Sequence, residues 1–92
     1  MKGLNNKRQL KKTINYACSE LFAECMAATL YGKSNYEEAK GVMASIMDVN
    51  YDFINRVSHP EPGMRPSVYY NTLVADFVKQ TDEIIDQIRN LG

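Results

Sequence analysis

The chain has 92 residues, of which 45% are hydrophobic and 24% charged, with 11 Lys and Arg against 11 Asp and Glu. That length leaves room for one hydrophobic core and excludes a second. The composition is that of a folded domain, not a disordered tail. A net charge of zero points to no partner class, so any charge-directed function must come from how the charges are distributed.

Residues 1–12, MKGLNNKRQLKK, are polar and basic, and the first six are expected to be frayed. The cations Lys2, Lys7, Arg8, Lys11 and Lys12 ahead of an apolar run imitate a secretory signal. Glu20 and Glu24 fall inside what would be its apolar region, and the run is too short to cross a bilayer. A cytoplasmic protein with no membrane partner is the expectation.

From Leu10 a helical stripe begins, with Leu10, Ile14, Ala17, Cys18, Leu21, Cys25 and Ala28 at spacings of three and four. Within it, residues 21–31 are apolar on almost every side, with only Glu24 and Thr29 interrupting. A helix apolar all round must be covered from several directions. Tyr16, Ala23, Ala27 and Leu30 form a second strip on the other side, flanked by Met26, that helix 3 or a second protomer is expected to cover. Gly32 is expected to end this helix in the left-handed conformation. Cys18 and Cys25 lie seven residues apart, about 10.5 Å along a helix, beyond the roughly 7 Å that a disulfide spans. Two buried thiols in a reducing compartment are the expectation.

Ser34-Asn35-Tyr36-Glu37 has the S-x-x-E form of a capping box that starts helix 2, and the connection of about three residues makes helix 2 fold back antiparallel on helix 1. Its apolar face is Ala39, Val42, Met43, Ile46, Val49, Phe53, Ile54 and Val57. Asn50 falls near the centre of that face, where a polar residue either fixes register or oligomer state or reaches water at a seam margin. Pro60, Pro62 and Gly63 then exclude continuing helix, and Pro62-Gly63 predicts a turn. Helix 3 carries Tyr70, Leu73, Val74, Phe77, Thr81, Ile84, Ile88 and Leu91 on one face. The expected fold is all-α, an antiparallel up-down-up three-helix bundle with helices over about residues 5–31, 35–58 and 67–91, about 35–40 Å long. It forms a single domain over residues 1–92, with residues 59–66 as the loop.

No catalytic constellation is present in the sequence. His59 is the only histidine, which excludes metal sites needing two imidazoles from one chain. Glu20/Glu24 and Asp48/Asp52 sit at i, i+4, a spacing that solvated helix faces produce constantly. The glycines do not form a phosphate loop. No cofactor, metal or enzymatic activity is expected. The six tyrosines fall mostly at seam margins or helix ends, where a ring packs while its hydroxyl reaches water, and Tyr16 on the second strip is the exception.

The folded order does polarise the charge. An up-down-up bundle gathers Lys7, Arg8, Lys11, Lys12, Arg56, His59 and Arg65 at one pole, where anions or nucleic acid could bind. The leading expectation is a small helical interaction module, a homodimer or the ligand of a partner protein. Its contacts would run through Tyr16, Ala23, Met26, Ala27, Leu30 and Asn50. Nucleic-acid or anion binding at the basic pole is the alternative.

Overall fold

The computed structural model describes residues 7–32 and 36–91. The expectations for residues 1–6, Lys2 among them, and for the Ser34–Asn35 half of the capping box fall outside the described residues. The rest is an antiparallel bundle of three helices, α1 (Lys7–Tyr31), α2 (Tyr36–Ser58) and α3 (Pro66–Arg89), with no strand among the described residues. Each helix forms because its apolar residues recur every three to four positions, and each buries that one stripe. Leu10, Ile14, Cys18, Leu21 and Cys25 come from α1; Ala39, Val42, Ile46, Phe53 and Val57 from α2; Tyr70, Leu73, Phe77 and Ile84 from α3. Leu91 stays buried just past the last helical turn, so the core reaches the end of the described chain.

Two cross-links fix the register of α1 on α2. Cys25 donates from its thiol to the Ala39 carbonyl at 3.5 Å, and Asn50 Nδ2 donates to Asn15 Oδ1 at 3.2 Å. In both pairs the residue numbers add to about the same value, as antiparallel neighbours require. On α3, Phe77 meets Phe53 edge to face at 5.2 Å, and Asp76 pairs with Arg56 at 3.6 Å. These contacts place the start of α3 beyond the end of α2. That offset, about six residues or 9 Å, makes the bundle 47 Å long and only 20 × 16 Å across. It exceeds the expected length because the helices are staggered and not flush.

The loop between α2 and α3 follows its Pro and Gly residues. Met64 N–H donates to the Glu61 carbonyl at 3.2 Å across Pro62-Gly63, and Gly63 has φ 88°. Proline presets the first central position of such a turn, and glycine supplies the positive φ of the second. Arg65 is extended, with ψ 130°, and Pro66 opens α3 where its missing N–H costs nothing.

Two expectations are corrected. Gly32 is not left-handed, because the positive-φ glycine among the described residues is Gly63. Gly32 instead prolongs the helical pattern, donating to the Ala28 carbonyl at 3.0 Å. A Cβ there would stand 2.6 Å from that same oxygen, so glycine is required by close approach. The hydroxyls of Tyr69 and Tyr70 do not simply reach water. Tyr70 donates to the Val57 carbonyl at 3.0 Å, and Tyr69 reaches the carbonyls of Arg56 at 2.9 Å and His59 at 3.3 Å. Helix ends leave carbonyls without partners. At the end of α2 the missing partners come from the first turn of α3.

Removing the buried hydroxyl with Tyr70→Phe strands the Val57 carbonyl, which costs about 1–3 kcal/mol. Thermal unfolding followed by circular dichroism should show a fall of several degrees, about 4–8 °C per kcal/mol for a domain this small. Tyr69→Phe, at a half-buried ring, should cost less. Equal and negligible losses would mean that solvent satisfies all three carbonyls.

Candidate functional site

The surface around α1 is asymmetric. α2 packs along α1 closely, α3 packs on α2, and α3 meets α1 least. One stripe of α1 is therefore sealed, while the stripe diametrically opposite faces out. Tyr16 and Leu30 are each 68% exposed, Met26 is 42% exposed, and Ser19, Ala23 and Ala27 are open as well. The expectation that α1 is covered from several sides is overturned, and so is the alternative that helix 3 covers the second strip. The other two helices cover α1 on one face only, because α3 packs mainly on α2.

The outward residues Tyr16, Ser19, Ala23, Met26 and Leu30 are spaced three, four, three and four apart. That is the a/d spacing of a coiled-coil seam. The inward residues Ile14, Cys18, Leu21, Cys25 and Ala28 repeat with the same steps in the order four, three, four, three. α1 thus carries two seams on opposite faces, one used within the chain and one open. Tyr16 is steadied along the helix by donating its hydroxyl to Glu20 Oε1 at 3.2 Å.

Beside the open seam runs a shallow groove of about 410 Å³ between α1 and α2, lined by Asn15, Ser19, Phe22, Met47, Asn50 and Tyr51 among others. Met47 is 62% and Tyr51 74% exposed, so the apolar surface continues from α1 onto the near side of α2. Asn50 is half-buried at the floor of the groove, and its partner is Asn15 of the same chain. Within the chain it joins α1 to α2.

The basic residues do gather at the loop end, as the connectivity requires, but they are not equivalent. Arg56 pairs with Asp52 at 3.1 Å and Asp76 at 3.6 Å, and its guanidinium lies 4.7 Å from the Phe53 ring centre. It is a clamp between α2 and α3, not a waiting cation. The imidazole Nδ1 of His59 lies 3.0 Å from the Asn55 carbonyl. Lys7, Arg8, Lys12 and Arg65 are exposed and Lys11 half-buried. Among the described residues, no cluster of three His, Cys, Asp or Glu is placed to hold a metal ion. Of the two candidate carboxylate pairs, Glu20 accepts from Tyr16 and Asp52 is bound to Arg56. No helix among the described residues is long and apolar enough to cross a membrane.

Cys18 and Cys25 are free thiols, 3% and 0% exposed, and burial pushes both above the ordinary cysteine value. A thiol held protonated among apolar side chains is a poor nucleophile. No protein-family model, curated protein sequence or solved structure matches this chain.

Two measurements test this geometry. In a double-mutant cycle, Asn15→Ala and Asn50→Ala should couple by about 0.5–1.5 kcal/mol in unfolding free energy; independent effects would mean the pair does not form in solution. The thiols carry a pH signature. Their raised folded-state values mean that the unfolded chain loses protons first, so their contribution is full below the ordinary cysteine value of 9.0. Stability should fall as pH rises above it, and a Cys18→Ala, Cys25→Ala chain should lose that added alkaline sensitivity.

Proposed function

We propose that this chain is a non-catalytic helical interaction module that docks another helix through the outward seam of α1, by self-association or on a partner protein. The observation that carries this reading is the seam itself, with Tyr16, Met26 and Leu30 standing exposed at coiled-coil spacing on a helix already folded by its other face. Contiguous exposed apolar surface rimmed by polar residues marks interaction sites in soluble domains. The rim here includes Lys12, Glu20 and Glu24. Helix-in-groove and helix-on-helix docking both read anchors at such spacings.

The basic pole offers less. Arg56 is neutralised by two carboxylates, and residues 7–12 contain no aromatic side chain to stack on a base. Two unpaired thiols suit a reducing compartment, and we place the module in the cytoplasm on that ground.

Leu30→Lys tests the reading. The variant should keep the unfolding temperature of the unaltered chain, because Leu30 is exposed and stands outside the hydrophobic core, while any association is lost. Light scattering at about 50 mM and about 500 mM salt separates apolar from ionic association, since exposed charges are screened over that range. A variant that unfolds would place Leu30 in the intramolecular core. A variant that associates as well as the unaltered chain would place the docking surface elsewhere.

A further inference from the structure

We infer that the outward seam of α1 takes a second copy of the same chain, docked antiparallel about a two-fold axis at Ala23, with Tyr16 of each protomer against the partner's Leu30. The inference rests on the interaction-module reading above and names its partner. A two-fold interface is self-complementary, so if residue i meets residue j, then j must meet i. Laid antiparallel on its own copy about Ala23, the outward face of α1 pairs Tyr16 with Leu30, seven positions away on either side, and Ser19 with Ala27, four positions away, while Met26 falls level with Glu20. The small Ser19, Ala23 and Ala27 lie between the large Tyr16 and Leu30. Two such helices approach closely at Ala23, while each tyrosine ring covers the opposing leucine.

Charge selects the direction. Continued one step towards the N-terminus, the seam reaches Lys12, which is exposed. A parallel pair would set Lys12 directly against its own copy. The antiparallel pair separates those two ammonium groups by about 33 Å along the axis, at 1.5 Å per residue, several screening lengths. Antiparallel docking also lays the basic end of each bundle beside the end from which the partner's α2 rises with Glu37 and Glu38.

The area fits a weak contact. Wholly buried, the exposed parts of Tyr16, Met26, Leu30 and the small residues between them would give at most about 1,000 Å² over both protomers, in the range of transient interfaces. The dimer is therefore reversible, and its population depends on protein concentration.

Ser19→Cys and Ala27→Cys test the arrangement without removing a large side chain. In the antiparallel dimer, Ser19 of one protomer lies beside the partner's Ala27, whereas two copies of Ser19 stand about 12 Å apart along the axis, beyond disulfide reach. Under mild oxidation, an equimolar mixture of the two variants should form the mixed disulfide about tenfold faster than either variant bridges to itself, because only the mixed pair is held at high effective concentration. The native thiols are buried, and the unaltered chain serves as the control. Faster self-bridging by either variant alone would overturn the antiparallel arrangement. A dimer by light scattering with no seam disulfide would move the interface off α1. A monomer at every concentration would overturn the second copy as partner, while the docking seam itself stands or falls by the Leu30→Lys experiment.

Discussion

The packing of α1 on α2 is the contact on which the rest of the molecule depends. It joins the two helices through a wholly apolar stripe punctuated by two polar links, Cys25 to the Ala39 carbonyl and Asn50 to Asn15. Every buried side-chain polar atom among the described residues has a partner, so nothing in this seam works against burial. Each helix of the bundle buries only its apolar stripe. With α2 committed to α1 on one side and to α3 on the other, the outer half of α1 meets no other helix among the described residues.

The junction of α2 and α3 shows why α3 cannot move over to fill that place. The loop between them is built for a turn, and its prolines offer no N–H to the last carbonyls of α2. Tyr69 and Tyr70 supply hydroxyls instead, with their rings edge to face at 5.3 Å. Arg56 adds its pair with Asp76 and its contact with Phe53. These links hold the first turns of α3 over the end of α2. α3 is anchored to α2 at the loop end, and the stagger that results sets the 47 Å length.

Much of this architecture is legible in the sequence, because helical periodicity reports which stripe is buried and Pro and Gly report where helices stop. The buried residues of each helix are those on the faces that the spacing picks out. What is not legible is tertiary in origin. Tyr69 reads as a margin residue and Tyr70 as part of the apolar face, and the hydroxyl links of both are missed because a bond to a carbonyl of another helix leaves no local trace. Gly32 reads as a left-handed cap because sequence cannot separate that use of glycine from a carbonyl that comes too close. The outward strip on α1 is visible as apolar residues, yet its exposure follows from how far α3 stands from α1, and no pattern within α1 contains that distance. Asn50 is ambiguous for the same reason, since its partner Asn15 lies on a different helix.

The two seams of α1 differ in kind, and the difference bears on what the open one is for. The closed seam is built from Ile, Leu and Cys, residues that gain nothing from water and belong in a permanent core. The open seam mixes Tyr, Ser, Ala, Met and Leu and begins beside a lysine. Tyrosine keeps a hydroxyl for solvent when its ring is uncovered, and methionine adapts to more than one packing. A face of this composition can stand in water without unfolding the protomer and still bury its rings when a matching surface arrives. The chain folds on one seam and leaves the other uncovered.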